Sequence, residues 1–105
     1  MTANPPADLT AETLLARERE RYRERTHKSA AMAEDLQTVV PAGACSTFRA
    51  YDPHPMHAER AAGSVLYDVD GNEYVDFALN NGTQLVGHSH PKLNEAAIDQ
   101  IGDGT

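Results

Sequence analysis

Residues 63–91, GSVLYDVDGNEYVDFALNNGTQLVGHSHP, constrain this chain more than any other stretch. Residues 65–69 alternate in strand fashion, and residues 73–79 do the same. Between them lies Asp70-Gly71-Asn72, residue types that accept positive φ in a tight hairpin turn. A three-residue loop there sets Tyr67 opposite Val75 and Val65 opposite Phe77. With Val69 these form one apolar face, and Leu66, Asp68, Tyr74 and Asp76 form the other. A two-residue loop through Asp70-Gly71 would place Asp68 against Glu73, an unfavourable like-charge pair. A lone hairpin is marginal in water, so this one requires a third strand or a helix beside it.

After the hairpin, residues 80–86 read as a loop with Gly82, entering a short extended piece at Gln84-Leu85-Val86. Gly87-His88-Ser89-His90-Pro91 then opens a helix. Proline is favoured at the first helical position, and Ser89 or His90 stands ready as the cap. Leu93, Ala97 and Ile101 fall on one face of that helix, which ends at Gly102.

Upstream, Pro5 and Pro6 block a helix start, and residues 1–7 read as disordered. Thr10 can cap the run that follows, with Glu12 in its first turn. Residues 11–28 are strong helix formers without Gly or Pro. Arg17/Glu20, Glu18/Arg21, Glu20/Arg23 and Arg21/Glu24 sit three apart, each pair contributing about 0.2–0.5 kcal/mol. The apolar stripe is only Leu14, Leu15 and Tyr22. Such a helix reads either as a solvated face or as an arm lying on a partner subunit, and not as packed into its own domain. Residues 29–37 form a second helical segment, which Val39-Val40-Pro41 ends. Residues 42–56 are irregular. The expected class is α+β: N-terminal helices, a small antiparallel sheet and a short helix. Residues 1–28 form a charged arm, and 29–105 the body.

The net charge of −7 is uneven, +1 over residues 1–28 and −8 over 29–105. An acidic body repels phosphate backbones, so nucleic acid is not an expected partner. There is no apolar run of membrane-spanning length, and the N-terminus lacks the pattern of a secretory signal. Mean hydropathy is −0.56, so the core is thin. The single Cys45 allows no internal disulfide, consistent with a cytoplasmic protein.

His54, His57, His88 and His90 form two close pairs, but no cysteine is near and neither pair has a zinc spacing, so no metal site is expected. The Asp68–Asn72 run resembles a calcium loop only superficially: its glycine is two positions early and Leu79 stands where the bidentate Glu belongs. Cys45 has no base beside it and reads as inert. Arg49 is one of three cations after residue 28, between Phe48 and Tyr51 in the loop. Its guanidinium suits either a bidentate grip on a carboxylate or an ion pair with Asp52 or Glu59.

Taken in order, PAGACSTFR (41–49), ERAAG (59–63), LYDVDGNEYVD (66–76) and GHSHP (87–91) resemble the N-terminal portion of class III pyridoxal-phosphate-dependent aminotransferases. Similarity is highest to the glutamate-1-semialdehyde 2,1-aminomutase subgroup and related β-amino-acid aminotransferases, over roughly residues 30–105. The resemblance implies that this region leads into a fold-type-I α/β domain, in a homodimer with its site at the subunit interface. It implies that Arg49 binds the substrate carboxylate and that Ser46 is a neighbouring contact. Asn81 is a further implied substrate-binding position, where the aminomutases carry tryptophan, so a transaminase of a related amino acid is implied equally. Residues 87–91 are implied to be structural.

The cofactor so implied is pyridoxal phosphate, and the substrate an amino acid or amino-aldehyde. That chemistry needs a Schiff-base lysine, an aspartate for the pyridinium nitrogen and a phosphate cradle. Only Lys28 and Lys92 are present, both in helical contexts. No catalytic, cofactor-binding or metal-binding residue is therefore expected within the 105 residues, and the chain reads as a portion that stops before the large domain, inactive alone. The rival is a small non-catalytic interaction or dimerisation module docking through its charged helix.

Overall fold

The structure is a computed structural model that describes residues 10–104. The disorder expected for residues 1–7 lies outside the described residues. Two compact units divide the chain, Met1–His57 and Ala58–Thr105.

The first unit opens with helix α1, Ala11–Arg25. Its start is a reciprocal cap: the Thr13 N–H donates to Thr10 Oγ1 at 3.2 Å, and the Thr10 N–H donates to Thr13 Oγ1 at 3.0 Å. Two of the expected charge pairs form, Arg21–Glu18 at 2.8 Å and Arg23–Glu20 at 3.3 Å. Thr10→Ala removes a side-chain acceptor that two threonines share. It is expected to cost about 1 kcal/mol of helix stability, read as faster amide exchange at Thr13.

The helix stops earlier than its propensities suggest. Thr26 leaves helical geometry at φ −131° and ψ 39°, and its hydroxyl lies 2.9 Å from His54 Nε2. Helix α2, His27–Gln37, then sets off anew. Contrary to expectation, α1 does pack on its own unit. Tyr22 donates its hydroxyl proton to the His54 carbonyl at 3.2 Å and lays its ring 4.9 Å from that imidazole. Arg19 adds an ion pair with Asp52 at 2.6 Å. One aromatic residue with a polar tip anchors a helix that has no apolar face of its own.

Two short 3₁₀ turns follow, Pro41–Gly43 and Thr47–Arg49. The first is pressed on α2: a Cβ at Gly43, where φ is +63°, would stand 2.5 Å from the Ala33 carbonyl oxygen. Ala33, Thr26, Ser29 and Pro55 are buried here, and the Ser29 hydroxyl accepts from the His57 N–H at 3.3 Å.

The second unit is a three-stranded antiparallel sheet in the order β1 (Ala58–Ala62), β2 (Val65–Asp68), β3 (Glu73–Val75), followed by a helix at Pro91–Asp103. The α+β class expected from sequence is what the chain adopts. The hairpin register differs: Val65 faces Val75, Leu66 faces Tyr74 and Tyr67 faces Glu73. The loop is three residues long, but it is Val69-Asp70-Gly71, closed by the Asp68 N–H on the Asn72 carbonyl at 3.1 Å. The slip is two residues, so each side chain keeps its face while changing its partner.

Its cause is the Asp68 carboxylate. Oδ1 accepts from the Asp70 and Asn72 N–H groups at 3.0 and 2.7 Å, and Oδ2 accepts from Asn72 Nδ2 and the Tyr74 hydroxyl, each at 2.9 Å. Only a turn beginning at Asp68 brings those four donors to one buried side chain.

Strand β1 is the third strand the hairpin required, in a stretch with no strand pattern. It pairs with β2 through Ala61↔Leu66 and Ala62↔Val65, and Arg60 lays its guanidinium 3.5 Å above the Tyr67 ring. That cation–π contact covers an aromatic side chain that would otherwise be open. Gln84-Leu85-Val86 is not extended; it forms a turn, and the ordered pairing comes one step later as a bridge between Gly63 and His88. The last helix begins with Pro91 after His90 as its cap residue, and it runs to Asp103, one residue past the expected stop. Phe77 and Leu85 are 91% and 86% exposed, so this unit is held by its turns and pairings more than by an apolar interior.

Candidate functional site

In the first unit, Arg49 ends the Thr47–Arg49 turn, whose start is tied down by the Arg49 N–H donating to the Ser46 carbonyl at 3.0 Å. Ser46 and Arg49 thus share one turn, and both are exposed. Arg49 lines a pocket of about 130 Å³ with Leu36, Cys45, Pro55, Met56 and His57, floored by Gly43 and Ala44. None of the lining residues is acidic, and most are apolar. Asp52, one of the two acids that sequence spacing offered Arg49, is engaged by Arg19. Arg49 thus stands beside a mostly apolar lining, with no acidic residue among those that line the pocket.

A larger groove, about 470 Å³, runs along α1 between Glu18, Arg21, Tyr22, Glu24 and Arg25. Four charged side chains and Tyr22 line it, and Arg49 and Ser46 are not among them.

In the second unit, Asn81 lies in the turn Leu79–Gly82 and is exposed. Leu79, Asn80 and Asn81 take φ of 45°, 48° and 59°, a left-handed run. Asparagine tolerates that conformation better than most residues, but three in succession store strain. Asp76 holds the run in place: Oδ1 accepts from the Ala78 and Leu79 N–H groups at 2.8 and 3.0 Å. Its Oδ2 meets His88 Nε2 at 2.6 Å, with the two side chains 11% and 16% exposed. The His88 hydrogen bond, helped by the two backbone donors, holds the Asp76 carboxyl below its ordinary value near 3.8. Sequence reasoning treated His88 as part of a structural step and missed this pairing. A carboxylate and an imidazole twelve residues apart carry no local signature.

Lys28 and Lys92 are both exposed, on α2 and on the last helix, and neither lines the Arg49 pocket. Among the described residues there is no seat for pyridoxal phosphate: neither lysine is desolvated in a cavity beside a phosphate-sized cradle. No group of three or more His, Cys, Asp or Glu that could hold a metal occurs among them either. No described helix is long and apolar enough to cross a membrane.

Residues 46–105 match the family model for aminotransferase class-III. The chain is 42% identical over 78 residues to the glutamate-1-semialdehyde 2,1-aminomutase of Methanosphaera stadtmanae, covering 74% of this chain and 18% of that one. Among solved structures, a β-phenylalanine aminotransferase from Variovorax paradoxus superposes with a TM-score of 0.85 at 26% identity, over 90% of this chain and 22% of that one. A glutamate-1-semialdehyde aminomutase from Pseudomonas aeruginosa PAO1, whose lysine-to-alanine variant is also solved in complex with PMP, gives a TM-score of 0.83 at 30% identity. That match covers 89% of this chain and 21% of that one. The chain therefore spans about a fifth of the length of the proteins it matches.

Proposed function

Because the chain belongs to the aminotransferase class-III family, we propose that it contributes the carboxylate-binding part of an enzyme that moves amino groups with pyridoxal phosphate. The observation that carries this reading is the Arg49 pocket: a guanidinium on a short turn within the matched residues, at an apolar cleft with no acid in its wall. Arginine offers two parallel N–H donors to the two oxygens of a carboxylate, and so fixes orientation as well as affinity. Ser46 adds a hydroxyl donor on the same turn, and Asn81 is retained as a substrate-binding position on the resemblance alone.

The substrate is an amino acid or amino-aldehyde carrying a carboxylate. The names of the relatives support that class, as they support both intramolecular migration and transfer between molecules. The cofactor supplies the amino-carrying chemistry, and this reading requires a lysine and a phosphate seat beyond those the 105 residues supply. In the same reading the enzyme is a cytoplasmic homodimer, with residues 1–28 as its charged arm and 29–105 as the N-terminal segment of the aminotransferase body.

The test is kinetic, in the enzyme that carries these residues. Arg49→Ala is expected to raise KM for an amino-acid substrate by about tenfold to a hundredfold, with a smaller change in kcat. Arg49→Lys is expected to recover only part, because an ammonium has no planar fork. An amine of the same skeleton without the carboxylate should be turned over equally by all three. An unchanged KM for the amino acid in Arg49→Ala would sink the reading.

A further inference from the structure

In the second unit, the left-handed run at Leu79, Asn80 and Asn81 lies at the end of a chain of contacts. Leu79 is its costly member: at φ 45° it has neither the missing Cβ of glycine nor the short polar side chain of asparagine. The two N–H groups that lead into the run, those of Ala78 and Leu79, are held by Asp76 Oδ1, while Asp76 Oδ2 meets His88 Nε2 at 2.6 Å. Both members of that pair are seated on one tight turn, Gly63-Ser64, between β1 and β2. The Asp76 N–H donates to the Ser64 carbonyl at 2.8 Å, and His88 exchanges two backbone bonds with Gly63, at 2.9 and 2.8 Å. The Ser89 hydroxyl donates to the Ala61 carbonyl at 2.9 Å, one residue further on. Backbone strain persists only where surrounding contacts over-determine it, and such places cluster where a side chain must be presented in one direction.

We infer that Asp76 and His88 are positioning residues for the substrate contact at Asn81. This rests on the reading of Asn81 as a substrate-binding position and supplies the device that aims it. The two oxygens of Asp76 have separate tasks. Oδ1 fixes the entry into the run, and Oδ2 is fixed by the imidazole, so the carboxylate cannot swing away from the backbone it holds. An ionised carboxylate only accepts, so the ring presents its proton on Nε2. Both side chains are largely shielded from solvent, and water competes poorly for either bond. Aim matters at Asn81 because a primary amide carries a donor half and an acceptor half. A turn free to rock would offer the substrate the wrong half as readily as the right one, and a small misplacement of a binding group is costly. The His88 side chain acts apart from the bridge to Gly63, whose two bonds are both main-chain.

The experiment is a double-substitution cycle in the enzyme that carries these residues, read as KM and kcat for an amino-acid substrate, with hydrogen exchange over residues 77–86. Asn81→Ala should raise KM by about fivefold to tenfold. His88→Phe keeps both backbone bonds to Gly63. It should raise KM by a similar factor, leave kcat within about twofold, and speed exchange at Ala78 and Leu79 by about tenfold or more. Asp76→Ala, which removes the hold directly, should do the same and carries the cycle if His88→Phe does not fold. His88→Gln can donate to Oδ2 from nearly the same place, and Asp76→Asn keeps an oxygen for the two N–H groups, so each should stay within about threefold of the parent. Adding either disruptive change to Asn81→Ala should raise KM no further. Full additivity would overturn the inference, as would a parent-like KM in His88→Phe and Asp76→Ala beside a raised one in Asn81→Ala, which leaves the Asn81 reading standing. A parent-like KM in Asn81→Ala would remove Asn81 from the site and the inference with it, while the Arg49 reading is untouched. A fall in kcat that His88→Gln and Asp76→Asn fail to rescue would reduce the pair to a support of the sheet.

Discussion

Gly87→Ala is expected to destabilise the Ala58–Thr105 unit by about 2–4 kcal/mol. At Gly87 φ is +81°, and an added Cβ would sit 2.7 Å from the Gly63 carbonyl oxygen and 3.0 Å from its carbon. Those are backbone atoms and cannot rotate away. The same carbonyl accepts the His88 N–H at 2.8 Å, and the Gly63 N–H donates back to the His88 carbonyl at 2.9 Å. Relieving the clash therefore means opening both bonds of the bridge. Left-handed strain adds about 1–2 kcal/mol by itself.

Two other glycines separate these causes. Gly71 has φ of +88° with nothing within 4 Å of its virtual Cβ, so Gly71→Ala carries the strain alone, about 1–2 kcal/mol. Gly102 is helical and open, so Gly102→Ala is expected to be neutral or to stabilise by up to about 1 kcal/mol. Denaturant midpoints, with amide exchange at Gly63 and His88, read the series. Equal losses at positions 87 and 71 would show that the bridge does not hold this unit.

The second large effect is at Asp68. Asp68→Ala is expected to cost about 2–4 kcal/mol, because four donors lose one buried acceptor together. Asp68→Asn should fall between, since one oxygen survives while an amide NH₂ now faces donors. The pH dependence has a definite sign. Burial pushes the Asp68 carboxyl up, but the Asn72 side chain and N–H, the Tyr74 hydroxyl and the Asp70 N–H together outweigh it, and the net value lies below the ordinary 3.8. A carboxylate with a depressed folded value contributes stability in full above the unfolded value, and that contribution fades as pH falls through the folded one. The gap between parent and Asp68→Ala should thus be constant near neutrality and narrow below about pH 4. Asp76, depressed chiefly by His88, contributes in the same direction. A gap that widened in acid would mean that Asp68 is held as a neutral acid.

How far the sequence could be read depended on range. The Thr10 cap, the existence of both N-terminal helices, Pro91 at a helix start and the Tyr67/Val65/Val75 face all follow from residues within a few positions of one another. At the Arg49 site, the rarity of cations after residue 28 and the family motifs marked the guanidinium. The acid-free wall around it became visible only when the Pro41–Gly43 turn folded onto α2. Asn81 was marked by resemblance alone, and nothing in its spacing announced the left-handed run that Asp76 pins.

By itself, then, the chain of residues determined which segments are helix, which faces are apolar and where the turn chemistry lies, because caps, propensities and two-residue alternation act locally. Only the tertiary structure decided the register around Asp68, the recruitment of Ala58–Ala62 as a strand and the break at Thr26. The register and the break each depend on one polar group meeting its partners, two to six residues away for Asp68 and twenty-eight for Thr26 and His54. A buried carboxylate or hydroxyl takes whichever donors the fold brings to it, and that outcome is a property of the packed chain rather than of any short segment.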